Sequence, residues 1–406
     1  PLIFGDLSIE EFRINNFLVG DLEGSMSWND YRERFDIDFD VDRLGRNTIS
    51  MTGAFYPSRD EEQLNIDLLL NEANINIAEP YIDDYFSELG GFIDGRYKIT
   101  GNTNAPVMKG LGAIKNGQMK INYLNTKYSF NGDVDFQERY ISLENLQFLD
   151  ARSRQAQFSG RVSHNYFRDF RLDLIGQLNQ FQVLNTNQDV GDVYYGGAYA
   201  TGQVSLTGEA SNLTISANVR TEADTKIYIP ITEEIEDNDV PEYITFVDRT
   251  VQDTTSTESI IDLDDVNKIK IEGLKLDLDI EVTPDAYVEI IIDPKTGDII
   301  RGRGEGQLRL LIDTQGEFQM TGDLDITEGA YNFSLYNLIT KEFDIEQPST
   351  ITWYGDPYEA IVDIKGSYNQ STSIAPLLVD AGFVQNNFTK HLDGLSSFSA
   401  IASDLT

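Results

Sequence analysis

Cysteine is absent from this chain of 406 residues. That excludes a disulfide framework and any thiolate metal site. Histidine is almost absent, with only His164 and His391 present. A Ser-His-Asp triad would need one of them beside an activated serine, and no G-x-S-x-G nucleophile turn occurs. His164 lies in Ser163-His164-Asn165 and reads as a solvent-exposed turn residue. No run of about 18 apolar residues exists, so no segment reads as a membrane-spanning helix. Positive charge is scarce: 31 Lys and Arg stand against 68 Asp and Glu, a net charge of −37. That surplus disfavours nucleic acid and anionic membrane surfaces as partners. It reads as a solvated outer face that keeps a strand-rich protein soluble and guards its edges.

The acids do not assemble into a known site. Glu236-Asp237-Asn238-Asp239 lacks the glycine and terminal glutamate of an EF-hand loop. Asp83-Asp84 and Asp264-Asp265 resemble glycosidase pairs only as chance produces them among so many carboxylates. Gly302, Gly304 and Gly306 follow the turn Asp293-Pro294-Lys295-Thr296-Gly297 and read as hairpin flexibility, not a phosphate cradle. We expect no catalytic residue, no cofactor and no metal. The start, Pro1-Leu2-Ile3-Phe4-Gly5-Asp6, has neither an initiator methionine nor a basic leader. It reads as part of a longer protein with an anchor upstream.

What the chain does have is alternation. Phe35 to Asp42 places four apolar groups on one face and four acids on the other. Leu274, Leu276, Leu278, Ile280 and Val282 continue a second case begun at Ile269 and Ile271, with a slip at Gly273 that reads as a bulge. Met119, Ile121 and Tyr123 form a third, Leu308, Leu310 and Ile312 a fourth, and Leu64, Ile66 and Leu68 a fifth. One-sided alternation predicts an all-β, antiparallel sheet with one wet face. Helical signal is sparse. Pro80, Ile82, Tyr85, Phe86 and Leu89, stopped by Gly90, predict one short helix. Leu392, Leu395, Phe398 and Ile401 predict another. The acidic stretch 231–264 reads as a long excursion between strands.

Size alone suggests roughly two or three domains, but no linker composition divides the chain. Gly95-Arg96-Tyr97-Lys98-Ile99-Thr100-Gly101 returns as Gly202-Gln203-Val204-Ser205-Leu206-Thr207-Gly208, and more loosely from Gly306. The interval is ~105 residues, far above a solenoid rung. We therefore expect one continuous β domain over 1–380. Residues 381–406 would form a tail with a helical segment, and the join Asp380-Ala381 reads as a discontinuity. Roughly 25 to 30 stacked strands would reach on the order of 120 Å.

The segment Glu328 to Tyr368 carries a resemblance. Its strands EGAYNF and KEFDI precede Ser349-Thr350-Ile351-Thr352-Trp353-Tyr354-Gly355-Asp356-Pro357. This order resembles the C-terminal region of TamB-type members of the AsmA-like bridge lipid-transfer proteins. Tyr194 to Gly202, Thr225 to Ile231 and Ile244 to Asp248 resemble further stretches of the Bacteroidota type. The likeness covers most of Gly91 to Leu377.

Alternation alone fits a closed core as well as an open groove. The resemblance implies the groove: a sheet curled lengthwise into a taco-like trough with an apolar interior. Its lining would be Tyr97, Ile99, Met119, Ile121, Tyr123, Val204, Leu206, Leu276, Leu278, Leu308 and Leu310. The implied cargo is the phospholipid acyl chain, whose burial is worth ~0.8 kcal/mol per CH₂, or about 12 kcal/mol for sixteen carbons. The implied place is the periplasm of a Gram-negative cell, anchored at the inner membrane through an upstream part. The implied partner is a TamA- or BamA-like outer-membrane barrel, met through Tyr331, Phe333, Leu335, Ile351, Trp353 and Tyr368. Outer-membrane protein assembly is the second implied role. The competing readings are a secreted structural β-solenoid or adhesin, and then a β-helical polysaccharide lyase. A solenoid would show rungs of about 20 to 25 residues, and none is seen.

Overall fold

The computed structural model describes residues 3–14, 16–82, 86–188, 194–209, 212–230, 273–293, 296–313, 317–335, 339–357, 359–369, 371–372 and 398–399. Strands dominate. β1 (Phe4–Ile14), β2 (Phe17–Asn29), β3 (Arg34–Arg43), β4 (Arg46–Phe55) and β5 (Leu64–Asn74) come first. A 3₁₀ helix (Ile75–Tyr81) leads to β6 (Phe86–Asn102), β7 (Ala105–Ile121), β8 (Thr126–Phe136), β9 (Tyr140–Leu149) and β10 (Gln155–Ser163). β11 (Arg171–Thr186), β12 (Tyr195–Glu209), β13 (Asn212–Thr221), β14 (Lys226–Pro230), β15 (Leu274–Val282) and β16 (Tyr287–Asp293) follow. β17 (Asp298–Asp313), β18 (Glu317–Leu335), β19 (Ile339–Gly355) and β20 (Ala360–Ser367) complete one twenty-stranded sheet. β21 (Ser371–Thr372) and β22 (Phe398–Ser399) pair separately.

Each strand from β1 to β12 pairs antiparallel with the next. The meander then changes. β12 pairs with both β13 and β14, so these two share one row. β15 and β16 share the next row, because both pair with β17. These two rows run parallel to each other, Leu213 beside Leu274 and Pro230 beside Ile291. β14 therefore ends, and β15 begins, at opposite ends of the row. This is the single departure from the antiparallel pattern among the described residues, and alternation within a strand carries no signal of it. The acidic stretch 231–264 and the join at Asp380 lie outside the described residues. Twenty strands in eighteen rows span about 80 Å, shorter than expected, because individual strands run to 19 residues and use up the chain.

Bulges bend the rows. Glu11, Glu72, Glu88, Asn116, Asn145 and Gln180 all take φ between 50° and 54°, a left-handed conformation inside a strand. Each lies at or beside a register shift, as between Ile9 and Phe12, Leu70 and Ala73, Ile114 and Gly117, or Leu178 and Phe181. A left-handed residue in a bulge turns the strand and takes its N–H out of the ladder. The neighbouring strand supplies the missing acceptor. Glu11 N–H donates to Asp21 (2.9 Å), Glu72 to Asp94 (2.6 Å), Asn116 to Asn131 (2.8 Å) and Gln180 to Thr201 (2.8 Å). In the later rows the same bend falls at the breaks between β13 and β14 and between β15 and β16, where Thr283 N–H donates to Thr221. The irregularities follow one another from row to row, so the crease runs lengthwise.

One side chain demonstrates the fold-over. Tyr123 packs against the Leu213, Leu274 and Leu276 cluster, and its hydroxyl lies 3.3 Å from that of Tyr194. Gly208 is the Cα partner of Leu213, and the strand from Tyr194 to Gly208 would measure about 45 Å if straight. One tyrosine reaches both ends only because the row folds back on itself.

Several local expectations are corrected. The helix expected from Pro80 to Leu89 is not what the described residues form: Pro80 lies in the 3₁₀ turn, Phe86 and Leu89 belong to β6, and Tyr85 lies outside them. Gly90 is a strand residue beside the crease, not a stop. Leu89 is buried with Phe130 and Leu146, so sheet packing overrides the i, i+3 spacing. Phe398 is in the short β22, not a helix; Leu392, Leu395 and Ile401 lie outside the described residues. Gly273 is the turn residue ahead of β15, with φ 85°, not a bulge. Gly302, Gly304 and Gly306 lie within β17, not in a hairpin turn. Tyr123 stands in the β7–β8 turn, not on the strand.

The crease yields a testable consequence. Asp94 accepts the Glu72 N–H and also pairs with Lys115 (2.7 Å). The hydrogen bond from Lys115, then that from Glu72, holds its carboxyl below the usual carboxylate range. Asp94→Ala should lower unfolding stability by about 1 kcal/mol, read from denaturant midpoints, and Asp94→Asn should recover much of it. A depressed carboxylate contributes above its ordinary pKa and loses that contribution as pH falls. The difference between parent and Asp94→Ala should therefore shrink on acidification below 3.8.

Candidate functional site

The pleat sorts the side chains into two faces. One line of Cα partners can be followed from the first row almost to the last. It passes through Ile9, Leu22, Val41, Ile49, Leu70 and Gly95. It continues through Gly112, Val134, Leu143, Gly160 and Leu174. It ends through Leu206, Ile215, Leu276, Ile312 and Phe318. Every member is apolar or glycine. The neighbouring line on the other face reads Asp173, Thr207, Thr214, Lys275 and Asp313 where it crosses β11 to β17. A polar exterior and an unbroken apolar interior thus share one sheet. Exterior ion pairs such as Lys98–Asp67 (2.9 Å) and Arg309–Asp277 (3.2 Å) are exposed and contribute little.

The interior is incompletely covered. Among the residues expected to line a groove, Tyr97 (4% exposed) and Leu276 (6%) are buried. Ile99, Met119, Ile121, Tyr123, Val204, Leu206, Leu278, Leu308 and Leu310 are only partly buried, and all but Ile99 pack against the edges of the buried clusters. Ile99 pairs with Ile66 and Met108, Leu206 with Ile215, and Leu278 with Ala217 and Leu310. A close-packed core would bury such residues fully.

The floor is aromatic where rows β8 to β11 meet. Tyr128 stacks on Phe181 (4.7 Å between centroids), and Phe148 contacts Phe130 and Phe158 (5.3 Å each). Tyr97 covers glycines: its ring lies where a Cβ on Gly95 or Gly112 would stand. Alternation does not announce these contacts; glycine opposite an aromatic residue on the next strand is the signal that could have.

Buried polar groups are few. The Tyr128 hydroxyl donates to Gln182 O (2.8 Å), and burial raises its phenol above the ordinary value. Asp150 is buried and accepts N–H groups from Arg152, Arg154 and Gln182. His164 is buried at 6% exposure, not solvent-exposed. Its ring stacks on Phe167 (4.6 Å), its Nδ1 accepts the Phe167 N–H, and burial lowers its pKa. Among the described residues no three His, Asp or Glu side chains gather as metal ligands. The acid pairs at 83–84 and 264–265 lie outside those residues.

The C-terminal rows are arranged differently from the expected docking surface. Ile351 (2% exposed) and Trp353 (6%) belong to the core with Met320 and Leu324, and so offer a partner no surface. Tyr331 contacts Phe333 and Phe343, and Phe343 contacts Tyr368 just beyond β20. Leu335 ends β18. The exposed feature is β20 itself, with Ile361 at 61% and Val362 at 52%. β20 pairs only with β19 among the described residues.

Tyr97 supplies a second test. Its hydroxyl is buried without a hydrogen-bond partner among the described residues, and burial pushes its phenol from 10 up to about 12. A raised phenol contributes fully below pH 10 and loses its contribution as pH rises through 12. Tyr97→Phe should raise stability by about 1 kcal/mol, because an unsatisfied hydroxyl is removed. It should also flatten the alkaline loss of stability between those two pH values, followed by circular dichroism.

A family model described as the TamB C-terminal domain matches residues 144–393. No curated protein and no solved structure matches the chain. The family match begins within β9 and takes in the parallel junction, the later part of the apolar line from Gly160 to Phe318 and the β18–β20 end. No helix among the described residues is long and apolar enough to cross a membrane. TamB proteins are transport and assembly components of the cell envelope, within the translocation and assembly module. With more than half its length matched, and with the curled all-β sheet just described, this chain belongs to the TamB family.

Proposed function

We propose that the chain conducts phospholipid acyl chains along its interior, between the inner and outer membranes of a Gram-negative cell. The observation that carries this reading is the unbroken apolar line from Ile9 to Phe318, with its flanking side chains left only partly buried. Roughly fifteen inter-row steps make that line about 70 Å long. An acyl chain lying along it is removed from water at every step, so no single large barrier stands between the ends. No catalytic group is required. The acidic exterior keeps so long a sheet soluble. A secreted solenoid fits less well, because the sheet is one meander of long rows and not a stack of short rungs.

The second part of the proposal concerns the partner. Among the described residues β20 is an edge strand that pairs with β19 alone, and such an edge accepts a strand from another sheet. We assign this edge to a TamA-like outer-membrane barrel, with support of outer-membrane protein assembly as the accompanying role. The β1 end would then face the inner membrane.

Two outcomes check these assignments. Leu278 is only partly buried and flanked by Ala217, so a lysine there has room to run its stem along the wall. Leu278→Lys should keep the circular dichroism spectrum and cut phospholipid transfer between vesicles about tenfold or more, since a charge in the path costs several kcal/mol to pass. Outright unfolding would favour a closed core. Photocrosslinkers placed in β20 should capture the outer-membrane barrel, and those placed before Asn71 should not. Capture from the early positions alone would reverse the assigned polarity.

A further inference from the structure

An open groove has no need of a side chain that joins its two walls, yet Tyr123 does so. Its ring rests on the Leu213, Leu274 and Leu276 cluster at one end of the rows. Its hydroxyl meets that of Tyr194 at the other end, 3.3 Å away. The turn that carries it is held in place. Asn185 N–H donates to Leu124 O (2.9 Å), Asn125 Nδ2 donates to Asn185 O (2.7 Å), and Ser87 Oγ donates to Asn122 Oδ1 (2.6 Å). The ring is therefore held across the interior and does not swing with a loose loop. Burial, then the nearby Tyr123, raises the Tyr194 phenol well above its ordinary value. Neither hydroxyl has a role in the strand ladder, and the Tyr123 ring packs against the cluster to which Leu206 and Leu276 of the apolar line belong.

Resting on the lipid-conduction reading, we propose that Tyr123 and Tyr194 form a crossbar that closes the trough near mid-length and selects lipids by headgroup. A lipid in an open section keeps its tails inside and its headgroup in water. At the crossbar the walls are joined, and the headgroup has two ways past. It can enter the apolar interior, which a charged group does only at great cost, or it can pass while the two tyrosines are apart. Parting them breaks one neutral hydrogen bond and one ring contact, a frequent event. A small headgroup needs only a narrow, brief opening. A bulky one needs the turn itself to leave Asn185, which breaks several hydrogen bonds at once. The pair therefore favours lipids with small headgroups.

The test uses the whole chain and two fluorescent probes: phosphatidylethanolamine, and the same lipid with a poly(ethylene glycol) headgroup. Transfer between vesicles is measured for the parent, Tyr123→Phe, Tyr194→Phe and Tyr123→Ala. The parent should move the small-headed probe much faster. Each phenylalanine variant should speed that probe about fivefold, the effect of losing one neutral hydrogen bond. Tyr123→Ala should bring the ratio of the two rates close to one. An unchanged ratio in a folded Tyr123→Ala chain overturns the crossbar. If that variant does not fold, Tyr123→Phe decides, since it keeps the ring: parent-like rates there overturn the proposal. A parent that moves both probes equally also overturns the crossbar and leaves lipid conduction standing. A parent that neither binds nor moves either probe sinks lipid conduction, and the crossbar with it.

Discussion

Register is the constraint on which everything else depends. In a hydrogen-bonded sheet, a slip of one residue would turn an entire strand over and put its acids inside. Here the register is kept through row after row, so Ile9 in the first row and Phe318 in β18 stand on one face. Where the rows must bend, they do so by inserting residues and not by losing phase. The left-handed residues at Glu72, Asn116 and Gln180 absorb the bend, and Asp94, Asn131 and Thr201 receive the N–H groups that the bend releases. The acidic and polar groups of the exterior thus have a second use: some of them close the hydrogen bonding of the crease.

An apolar face that is curled but not closed is energetically unusual. Five separate clusters of buried side chains lie along it, and the leucines and isoleucines packed around them stay only partly buried. Each such side chain forgoes part of the roughly 1.5–3 kcal/mol that full burial would give. A closed sandwich of the same strands would recover it. A protein that leaves this stabilisation unused, over a continuous line, has a face suited to an apolar occupant that comes and goes. Ring contacts among Tyr128, Phe148 and Phe181 stiffen the floor of the curled sheet.

Much of this was legible in the sequence. The alternation of Phe35 to Asp42 and of Leu274 to Val282 fixes strands and faces, because period two has one structural meaning when acids occupy the other phase. Leu206 and Leu276, both expected on the inner face, are Cα-aligned through Ile215, whereas Tyr123 sits in a turn. Three things were not legible. The parallel junction of β13 with β15 depends on where distant strands meet, and alternation is the same for either direction. The crease depends on single residues such as Glu72, whose type gives no hint of a left-handed backbone. The burial of Ile351 and Trp353 depends on side chains of other rows, Met320 and Leu324 among them, and that of His164 on Phe167 and Phe170 of its own turn. The i, i+3 spacing near Leu89 misled for the related reason that β6 is held by its neighbours and not by its own pattern. The glycine-led segments at Gly95, Gly202 and Gly306 all fall on strands, but β6 to β12 spans more rows than β12 to β17, where the parallel junction intervenes.

The central claim is that the trough holds acyl chains. Mass spectrometry of the purified chain, first intact under native conditions and then after organic extraction, tests it most directly. The account predicts co-purifying phospholipids in discrete stoichiometry, displaced when the interior is given a charge at Leu278. A chain that purifies free of lipid, and takes up none when mixed with vesicles, would contradict it.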